Sequence, residues 1–195
     1  MTHIFFVRHA QPDYRNGSDS TFCLSEEGMS DRLKAADALR DVHFDAAVSS
    51  PYKRSVDTIQ PIIDIQGLEL KTDIRLRERD KGVGKPNCRE MFLKRWNDHS
   101  FCEEGGECLR SVQERNIDAL NDILREYKNK TVLVGTHGTA LSTILNYYDP
   151  DFGFESFMRI IDYMPYVLKL SFDGLRLVET KEIFYIEKEF HGVSK

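Results

Sequence analysis

The sequence lacks the features that would place it in a membrane or outside the cell. No apolar run is long enough to cross a bilayer. The opening MTHIFFVRHA has no basic leader, and its apolar stretch is too short for a signal peptide. None of the four cysteines belongs to a CxxC pair. These absences predict a cytoplasmic protein with reduced thiols and no membrane partner.

An excess of positive charge is also missing. The net charge is −5 and the isoelectric point is about 5.7, whereas non-specific nucleic-acid binding normally needs a basic face. We therefore expect no nucleic-acid partner, and any bound anion must be held by a local site. The 195 residues, 41% of them hydrophobic and 30% charged, predict a single folded domain over residues 1–195.

Motifs for metals and nucleotide cofactors are incomplete. The stretch GVGKP at 82–86 resembles part of a P-loop, but Arg79 stands at the position of the first glycine and Pro86 replaces the Ser or Thr. Four soft ligands occur in one segment, but their spacing matches no zinc pattern; they are Cys88, His99, Cys102 and Cys108. We therefore expect no metal and no cofactor.

Strand and helix patterns alternate along most of the chain. Apolar runs predict strands at 4–7, 44–50, 68–73 and 131–135, and helical spacing predicts helices at 24–42, 51–60, 88–100, 107–127 and 136–148. The first helix is expected to start at Ser25 and to bury Leu33 with Ala36 and Leu39. In the second, Ser50 is the expected cap, Pro51 takes the first helical position, and Pro61 ends or kinks the helix.

The end of the chain carries a different pattern. Runs at 166–172 and 175–186 flank an Asp-Gly pair, which predicts an antiparallel hairpin. The expected fold is a three-layer α/β/α sandwich with a largely parallel central sheet and this hairpin at its C-terminus. Segments of roughly 80–110 and 147–160 are expected to form a cap. They contain aromatic residues that form either packed core or a pocket wall: Phe92, Trp96, Phe101, Tyr147, Tyr148, Phe152, Phe154 and Phe157.

Charged and polar residues follow the predicted parallel strands. In such sheets ligands bind beyond the carboxyl ends of the strands. The residues expected there are Arg8 and His9 after the first strand, Pro51 to Arg54 after the second, Glu78 after the third, and Thr136, His137 and Gly138 after the fourth. Two arginines, two histidines and one glutamate would then face a common crevice.

This residue set suits phosphate chemistry. Guanidinium groups match phosphate oxygens, and helix N-termini add backbone donors. A neutral histidine held by a backbone carbonyl can attack phosphorus, and a carboxylic acid can protonate the leaving oxygen. From this reasoning either His9 or His137 could be the nucleophile. Lys53, Lys81 and Lys85 could meet a second anionic group, although exposed lysines that only shape the field are the simpler interpretation.

Several ordered motifs carry a family resemblance. VRHAQP with LSEEG, then SSPYKRSVDT, LRER and VGTHGTAL resemble the histidine phosphatase superfamily, which has the phosphoglycerate-mutase-like fold. The resemblance implies that His9 becomes phosphohistidine, that Arg8, Arg54 and His137 grip the phosphate, and that Glu78 is the proton donor. Gly138 after the second histidine implies the branch with a glutamate as its acid.

The sequence departs from the family pattern at a few positions. Ala10 and Gln11 stand where the family usually has Gly and Glu, and Asn16 stands one place later than the usual Asn. Asn16 and Gly138 are the candidate substrate-binding residues. Asp31 and Arg32 replace a Gln-Ala pair on the first helix, which affects packing more than chemistry.

The expected activity is metal-independent hydrolysis of phosphomonoesters of a small metabolite, through a phosphohistidine. Two alternatives stay open. A phosphoglycerate mutase would return the phosphoryl group to substrate, although such mutases are usually longer through an inserted cap segment. A catalytically silent phospho-ligand binder on the same fold would not need both a nucleophile and a placed acid.

Overall fold

The computed structural model describes residues 1–15, 17–83 and 87–188. Its central sheet has six strands: β1 (Thr2–Arg8), β2 (Ala46–Ser49), β3 (Leu70–Thr72), β4 (Thr131–Thr136), β5 (Tyr163–Asp173) and β6 (Arg176–Glu187). They lie in the order β3-β2-β4-β1-β5-β6. The first four are mutually parallel, whereas β5 is antiparallel to β1 and β6 to β5. The predicted parallel sheet with an antiparallel C-terminal hairpin is confirmed.

Six α-helices accompany the sheet in the described part of the chain. They are α1 (Glu26–Ala38), α2 (Lys53–Gln66), α3 (Arg89–Asn97), α4 (Leu109–Glu126), α5 (Gly138–Tyr148) and α6 (Phe154–Ile160), and a 3-10 turn covers Ile74–Leu76. Sequence patterning did not predict α6 or the 3-10 turn. No helix among the described residues is long and apolar enough to cross a membrane.

Alternation along β1 divides the core between the two faces of the sheet. Ile4 and Phe6 join a buried cluster with residues of α4 and α5, while Phe5 and Val7 join a second cluster with residues of α1 and α2. Successive side chains of a strand point to opposite faces. Helices therefore cover both faces, as the three-layer prediction requires.

Helix α1 begins at the predicted residue, but one residue expected in the core lies on its exposed face. The Ser25 hydroxyl accepts a hydrogen bond from the Gly28 N–H at 3.0 Å, so Ser25 is the N-cap. Leu33, expected in the core with Ala36 and Leu39, is 56% exposed. The buried stripe of α1 instead runs through Ala35 and Ala36 toward Leu39.

Helix α2 corrects two expectations. It starts at Lys53 with Tyr52 as the N-cap residue, so Ser50 does not cap it and Pro51 lies outside it. It also continues through Pro61 to Gln66. Proline removes the N–H that would bond to the carbonyl four residues earlier. That carbonyl, of Asp57, instead accepts a hydrogen bond from Nη1 of Arg32 at 2.8 Å, which explains why the helix does not end there.

The tight turn of the hairpin lies one residue later than the Asp-Gly pair suggested. Asp173 is still the last residue of β5, and Gly174 with Leu175 joins it to β6. Gly174 has φ +62°, the left-handed conformation that glycine adopts without steric penalty.

Helices α3 and α6 pack against each other through aromatic rings. Phe92 lies 5.1 Å from Phe157 and Trp96 lies 5.4 Å from it, measured between ring centroids. Leu109 and Ile161 complete this buried cluster. Of the other aromatic residues in these segments, Tyr148 packs on Phe172 in the main core and Tyr147 is 53% exposed.

Candidate active site

The ends of β1 and β4 bring two histidines together. The parallel register pairs Arg8 with Thr136, and the N–H of His9 donates to the Thr136 carbonyl at 3.1 Å. His9 and His137 are the next residues of the two strands, and their ring centroids are 5.2 Å apart. Adjacent parallel strands that end at the same level thus create the pair.

The protonation of His9 follows from its contact with the backbone. Its Nδ1 lies 2.8 Å from the Ala10 carbonyl oxygen, which can only accept, so Nδ1 carries the proton and Nε2 keeps its lone pair. Burial, together with the charges of Arg54 and Arg8, holds the pKa of His9 well below 6.5. His9 is therefore a neutral imidazole with one free basic nitrogen.

Two buried arginines flank this imidazole, and each is anchored by a backbone carbonyl. Nη1 of Arg8 donates to the Ile160 carbonyl at 2.7 Å. Nη1 of Arg54 donates to the Asp19 carbonyl, and its Nη2 lies 3.1 Å from Oδ1 of Asp19. Within the described residues, the Nε atoms of both arginines are buried without a hydrogen-bond partner. Such fixed, unsatisfied donors suit an anion.

His137 supplies a further donor. Its Nε2 lies 2.8 Å from the Ser50 hydroxyl, and that hydroxyl also accepts a hydrogen bond from the N–H of Tyr52. When Ser50 donates to Nε2, the proton of the neutral ring sits on Nδ1, which is buried and has no partner in the described chain. Burial first, and then the charge of Arg54, hold the pKa of His137 well below 6.5. Ser50 thus orients a histidine instead of capping a helix.

Glu78 reaches the site from the loop after β3. Its Oε2 accepts a hydrogen bond from the N–H of Thr139 at 3.1 Å, in the first turn of α5, and its Oε1 accepts one from the N–H of Arg79 at 2.8 Å. Two neighbouring arginines are paired elsewhere, Arg77 with Glu107 at 2.8 Å and Arg79 with Glu103 at 3.0 Å. The carboxyl group of Glu78 therefore faces the end of β4.

These residues share one cleft of about 690 Å³, part of which is open to solvent. Among the residues predicted from sequence, Arg8, His9, Arg54, Glu78 and Gly138 line it, and the fully buried His137 lies beside His9. The aromatic cluster between α3 and α6 forms another part of its wall. The strand-end residues thus meet in one place, as the parallel sheet predicted.

The remaining sequence predictions have different outcomes. Asn16 and Lys85 lie outside the described residues. Lys53 pairs with Asp57 at 2.8 Å, whereas Lys81 is exposed at the cleft. Gly138 contacts Arg8 rather than open space, since a Cβ there would lie 3.1 Å from its Cζ.

Sequence reasoning missed Asp19, which lines the cleft together with Tyr14. Asp19 holds Arg54, which follows it by 35 positions, and no spacing rule connects the two. Tyr14 packs edge-on against Phe22 at 5.3 Å.

The soft ligands named above do not form a metal cluster. Within the described parts of the chain, no group of three or more His, Cys, Asp and Glu side chains could hold a metal ion. Cys88, Cys102 and Cys108 are free thiols, and His99 packs its ring against Trp96.

A family model for the histidine phosphatase superfamily (branch 1) matches residues 4–174. The chain belongs to this superfamily. Phosphoserine phosphatase 1 of Hydrogenobacter thermophilus is 30% identical over 152 residues, covering 70% of this chain and 71% of its own. The 2,3-bisphosphoglycerate-dependent phosphoglycerate mutase of Rhizobium etli is 29% identical over 164 residues, covering 74% and 78%.

Solved structures share the fold of this histidine phosphatase. YhfR of Bacillus stearothermophilus has a TM-score of 0.76 at 20% identity, covering 100% of this chain and 98% of its own. A mutant phosphoserine phosphatase from Entamoeba histolytica, solved in complex with phosphoserine, has a TM-score of 0.75 at 18% identity, covering 94% and 97%. Family membership and the phosphatase relatives make this chain a phosphomonoester hydrolase.

Proposed function

We propose that this histidine phosphatase hydrolyses phosphomonoesters of a small metabolite through a phosphohistidine at His9, without a metal. The observation that carries the proposal is the state of His9. Its Nδ1–H is bound to the Ala10 carbonyl at 2.8 Å, so Nε2 is the nucleophilic nitrogen. Around it lie buried donors that have no partner among the described residues: Nε of Arg8, Nε of Arg54 and Nδ1 of His137.

The first step transfers the phosphoryl group to the protein. Arg8, Arg54 and His137 bind the phosphate oxygens, and the lone pair of His9 Nε2 attacks phosphorus in line with the leaving oxygen. As the N–P bond forms, the P–O bond to the substrate breaks and its electron pair stays on the leaving oxygen. The carboxylic acid of Glu78 gives this oxygen a proton, and the free alcohol leaves.

The second step returns the enzyme to its starting state. The Glu78 carboxylate removes a proton from water, whose oxygen attacks phosphorus while the N–P bond breaks. The electron pair returns to His9 Nε2, and inorganic phosphate departs. Glu78 regains its proton, so each turnover consumes one water molecule.

The assignment of Glu78 as the acid places the chain in the glutamate branch of the family. Its support is the hydrogen bond from the Thr139 N–H, which holds the carboxyl group at the start of α5. The other branch of the family has an aspartate directly after the second histidine. This chain has Gly138 after His137 instead.

We propose that the cap consists of segments 80–110 and 147–160, which include α3 and α6. Its support is the aromatic packing between Phe92 and Phe157 and the position of that cluster at the cleft. The relatives named for phosphoserine and the related structure solved with 3-phosphoglyceric acid favour a small phosphorylated substrate. Asn16 stays a candidate substrate contact, and the cytoplasm the expected location.

Phosphate release from p-nitrophenyl phosphate in excess EDTA tests the proposal. The wild-type protein should turn over, and His9→Ala should abolish release. His43→Ala is the matched control, because His43 lies in the separate groove between α1 and α2 and should retain activity. An alkaline quench should trap acid-labile phosphate on the wild-type and His43→Ala proteins but not on His9→Ala. Hydrolysis that survives His9→Ala, or that stops with EDTA, contradicts the proposal.

A phosphoglycerate mutase is the second candidate, and the Rhizobium etli relative at 29% identity favours it. Such an enzyme would return the phosphoryl group from His9 to a second hydroxyl. Interconversion of 2- and 3-phosphoglycerate at a rate above their hydrolysis would establish it. A silent binder would instead bind phosphoesters without any turnover.

A further inference from the structure

Arg115 on α4 uses all five of its N–H donors. Its Nε donates to Oε1 of Glu107 at 2.9 Å, and one hydrogen of Nη2 binds Oε2 of the same carboxylate at 2.9 Å. The other three hydrogens go to backbone carbonyls: those of Arg75 at 2.6 Å, Arg77 at 2.8 Å and Glu78 at 3.1 Å. A planar guanidinium with fixed donors can bind such a fan of acceptors.

Glu107 fixes the same loop from a second side. Besides Arg115, its carboxylate accepts hydrogen bonds from Nη2 of Arg77 at 2.8 Å and from the N–H of Asp80 at 2.9 Å. The backbone N–H of Glu107 donates to the Asp80 carbonyl at 3.0 Å. The residues on both sides of Glu78 are therefore tied to the start of α4.

Regular secondary structure does not hold this loop, although Arg79 also anchors it: its Nη1 donates to Oε2 of Glu103 at 3.0 Å and to the Glu107 carbonyl at 2.9 Å. After the 3-10 turn Ile74–Leu76, the described residues up to α3 form no helix or strand. A loop without a hydrogen-bond ladder depends on side chains to define its backbone. Arg115 is only 12% exposed, and the carboxyl group of Glu78, in this loop, reaches the start of α5.

We infer that Arg115, held by Glu107, is a positioning residue that places the Glu78 carboxyl group for proton transfer to the leaving oxygen. The inference rests on the proposed role of Glu78 as the general acid. The charge of Arg115 also lowers the pKa of His137, although burial, Arg54 and His9 have larger effects. Arg115 therefore lies within electrostatic reach of the site. It does not touch the phosphate donors, so it should affect the acid without weakening phosphate binding.

Arg115→Lys is the test variant. Lysine keeps the charge but has three donors on a single nitrogen, so it cannot bind the three carbonyls and both carboxylate oxygens together. Arg110→Lys is the matched control, since Arg110 is exposed on the same helix. Both variants are assayed with p-nitrophenyl phosphate, which has a good leaving group, and with glycerol 2-phosphate, whose alkoxide leaves only with a proton.

The two substrates separate positioning from general damage. For glycerol 2-phosphate, kcat/KM should fall on the order of 100-fold in Arg115→Lys, the loss expected when a catalytic group moves by about 1 Å. For p-nitrophenyl phosphate, kcat/KM should fall by about 3-fold or less, because general acid catalysis matters little for a good leaving group. The measure is kcat/KM because it covers only the steps up to release of the alcohol, whereas kcat includes hydrolysis of the phosphohistidine, in which Glu78 acts as the base for both substrates. The Ki for inorganic phosphate and both activities of Arg110→Lys should not change. Equal losses on the two substrates would overturn the inference.

The variant Glu78→Gln distinguishes two outcomes: that Glu78 is not the general acid, and that Arg115 does not position it. Glu78→Gln should show the same selective loss of kcat/KM, and adding Arg115→Lys to it should reduce kcat/KM little further, because residues that act as a unit are not additive. If Glu78→Gln spares glycerol 2-phosphate, the acid assignment is wrong. If Glu78→Gln is selective while Arg115→Lys is not, only the positioning role is wrong.

A second variant covers the case in which Arg115→Lys does not fold. Glu107→Gln keeps the shape of the side chain and removes its charge, and circular dichroism with a thermal melt shows whether it is folded. It should produce the same selective loss on glycerol 2-phosphate. A folded Glu107→Gln protein with unchanged kcat/KM on both substrates overturns the inference.

Discussion

Gly138 lies directly against the guanidinium group of Arg8. A Cβ on Gly138 would stand 3.1 Å from Cζ and 3.1 Å from Nε of Arg8, closer than ordinary van der Waals contact. The Nη1 of the same guanidinium is bound to the Ile160 carbonyl at 2.7 Å, so the group cannot yield freely. Glycine at position 138 therefore leaves the space that the guanidinium group of Arg8 occupies.

Gly138→Ala should reduce kcat/KM on the order of 10- to 100-fold, because displacing a positioned group by about 1 Å carries a cost of that size. Steady-state kinetics with p-nitrophenyl phosphate measure it. Gly153→Ala is the matched control, since the nearest atom to a Cβ there is 3.9 Å away. An unchanged kcat/KM in Gly138→Ala would show that Arg8 tolerates the displacement.

The two active-site histidines should make the fold less stable in acid. Their pKa values are held well below 6.5 by burial and by Arg54, so below pH 6.5 the unfolded chain binds protons that the folded chain does not. The free energy of unfolding is therefore highest above pH 6.5 with respect to these two groups, and it decreases as the pH falls. Urea unfolding between pH 5 and 7.5 should show a stability slope that grows toward acid, and His9→Gln should reduce that slope by up to about 1.4 kcal/mol per pH unit at the acid end of the range. The same slope in both proteins would contradict this.

Arg32 should stabilise α2 only because Pro61 is present. Arg32→Met removes the donor to the Asp57 carbonyl, which should destabilise the fold by about 1–3 kcal/mol. In a Pro61→Ala background the alanine N–H can bond to that carbonyl, so Arg32→Met should cost clearly less there. Urea unfolding of the four proteins in this cycle measures the difference. Equal costs in both backgrounds would show that Arg32 acts elsewhere.

Thr58 joins the His9 loop to α2. Its hydroxyl accepts a hydrogen bond from the Ala10 N–H at 3.0 Å and donates to the Arg54 carbonyl at 2.7 Å. Thr58→Val leaves the Ala10 N–H buried and unsatisfied, which should cost about 1–3 kcal/mol and lower kcat. Thr143→Val is the control, because the Thr143 hydroxyl binds only a carbonyl of its own helix, that of Ala140. A Thr58→Val protein as active and stable as this control would rule out the link.

The sequence predicted the sheet and the strand-end residues because both follow from local rules. Apolar runs and helical spacing depend on neighbours within a few positions, and parallel strands align their carboxyl ends. That reasoning placed Arg8, His9, Arg54 and Glu78 at one crevice, and the structure brings all of them to one cleft. Their catalytic roles stay predictions, which the experiments above test.

The misses have a common physical origin in contacts between distant residues. Ser50 before a proline has the pattern of a helix cap, but its hydroxyl binds His137, 87 positions away. Pro61 has the pattern of a helix end, but Arg32 compensates for it from another helix. No sequence pattern singled out Arg115, because the carbonyls it binds lie about 40 positions earlier. No periodicity records such pairings.

The two active-site arginines are anchored by segments outside the reaction centre, so their positions can change without any change in the reacting groups. The guanidinium of Arg8 donates to the carbonyl of Ile160 at the end of α6, and that of Arg54 donates to the carbonyl of Asp19 in the loop before α1. Neither carbonyl takes part in the proposed reaction. Mutations that shift either segment would retune anion affinity while leaving every reacting group unaltered. Directed evolution of new substrate ranges on this protein should therefore accumulate changes around positions 19 and 160.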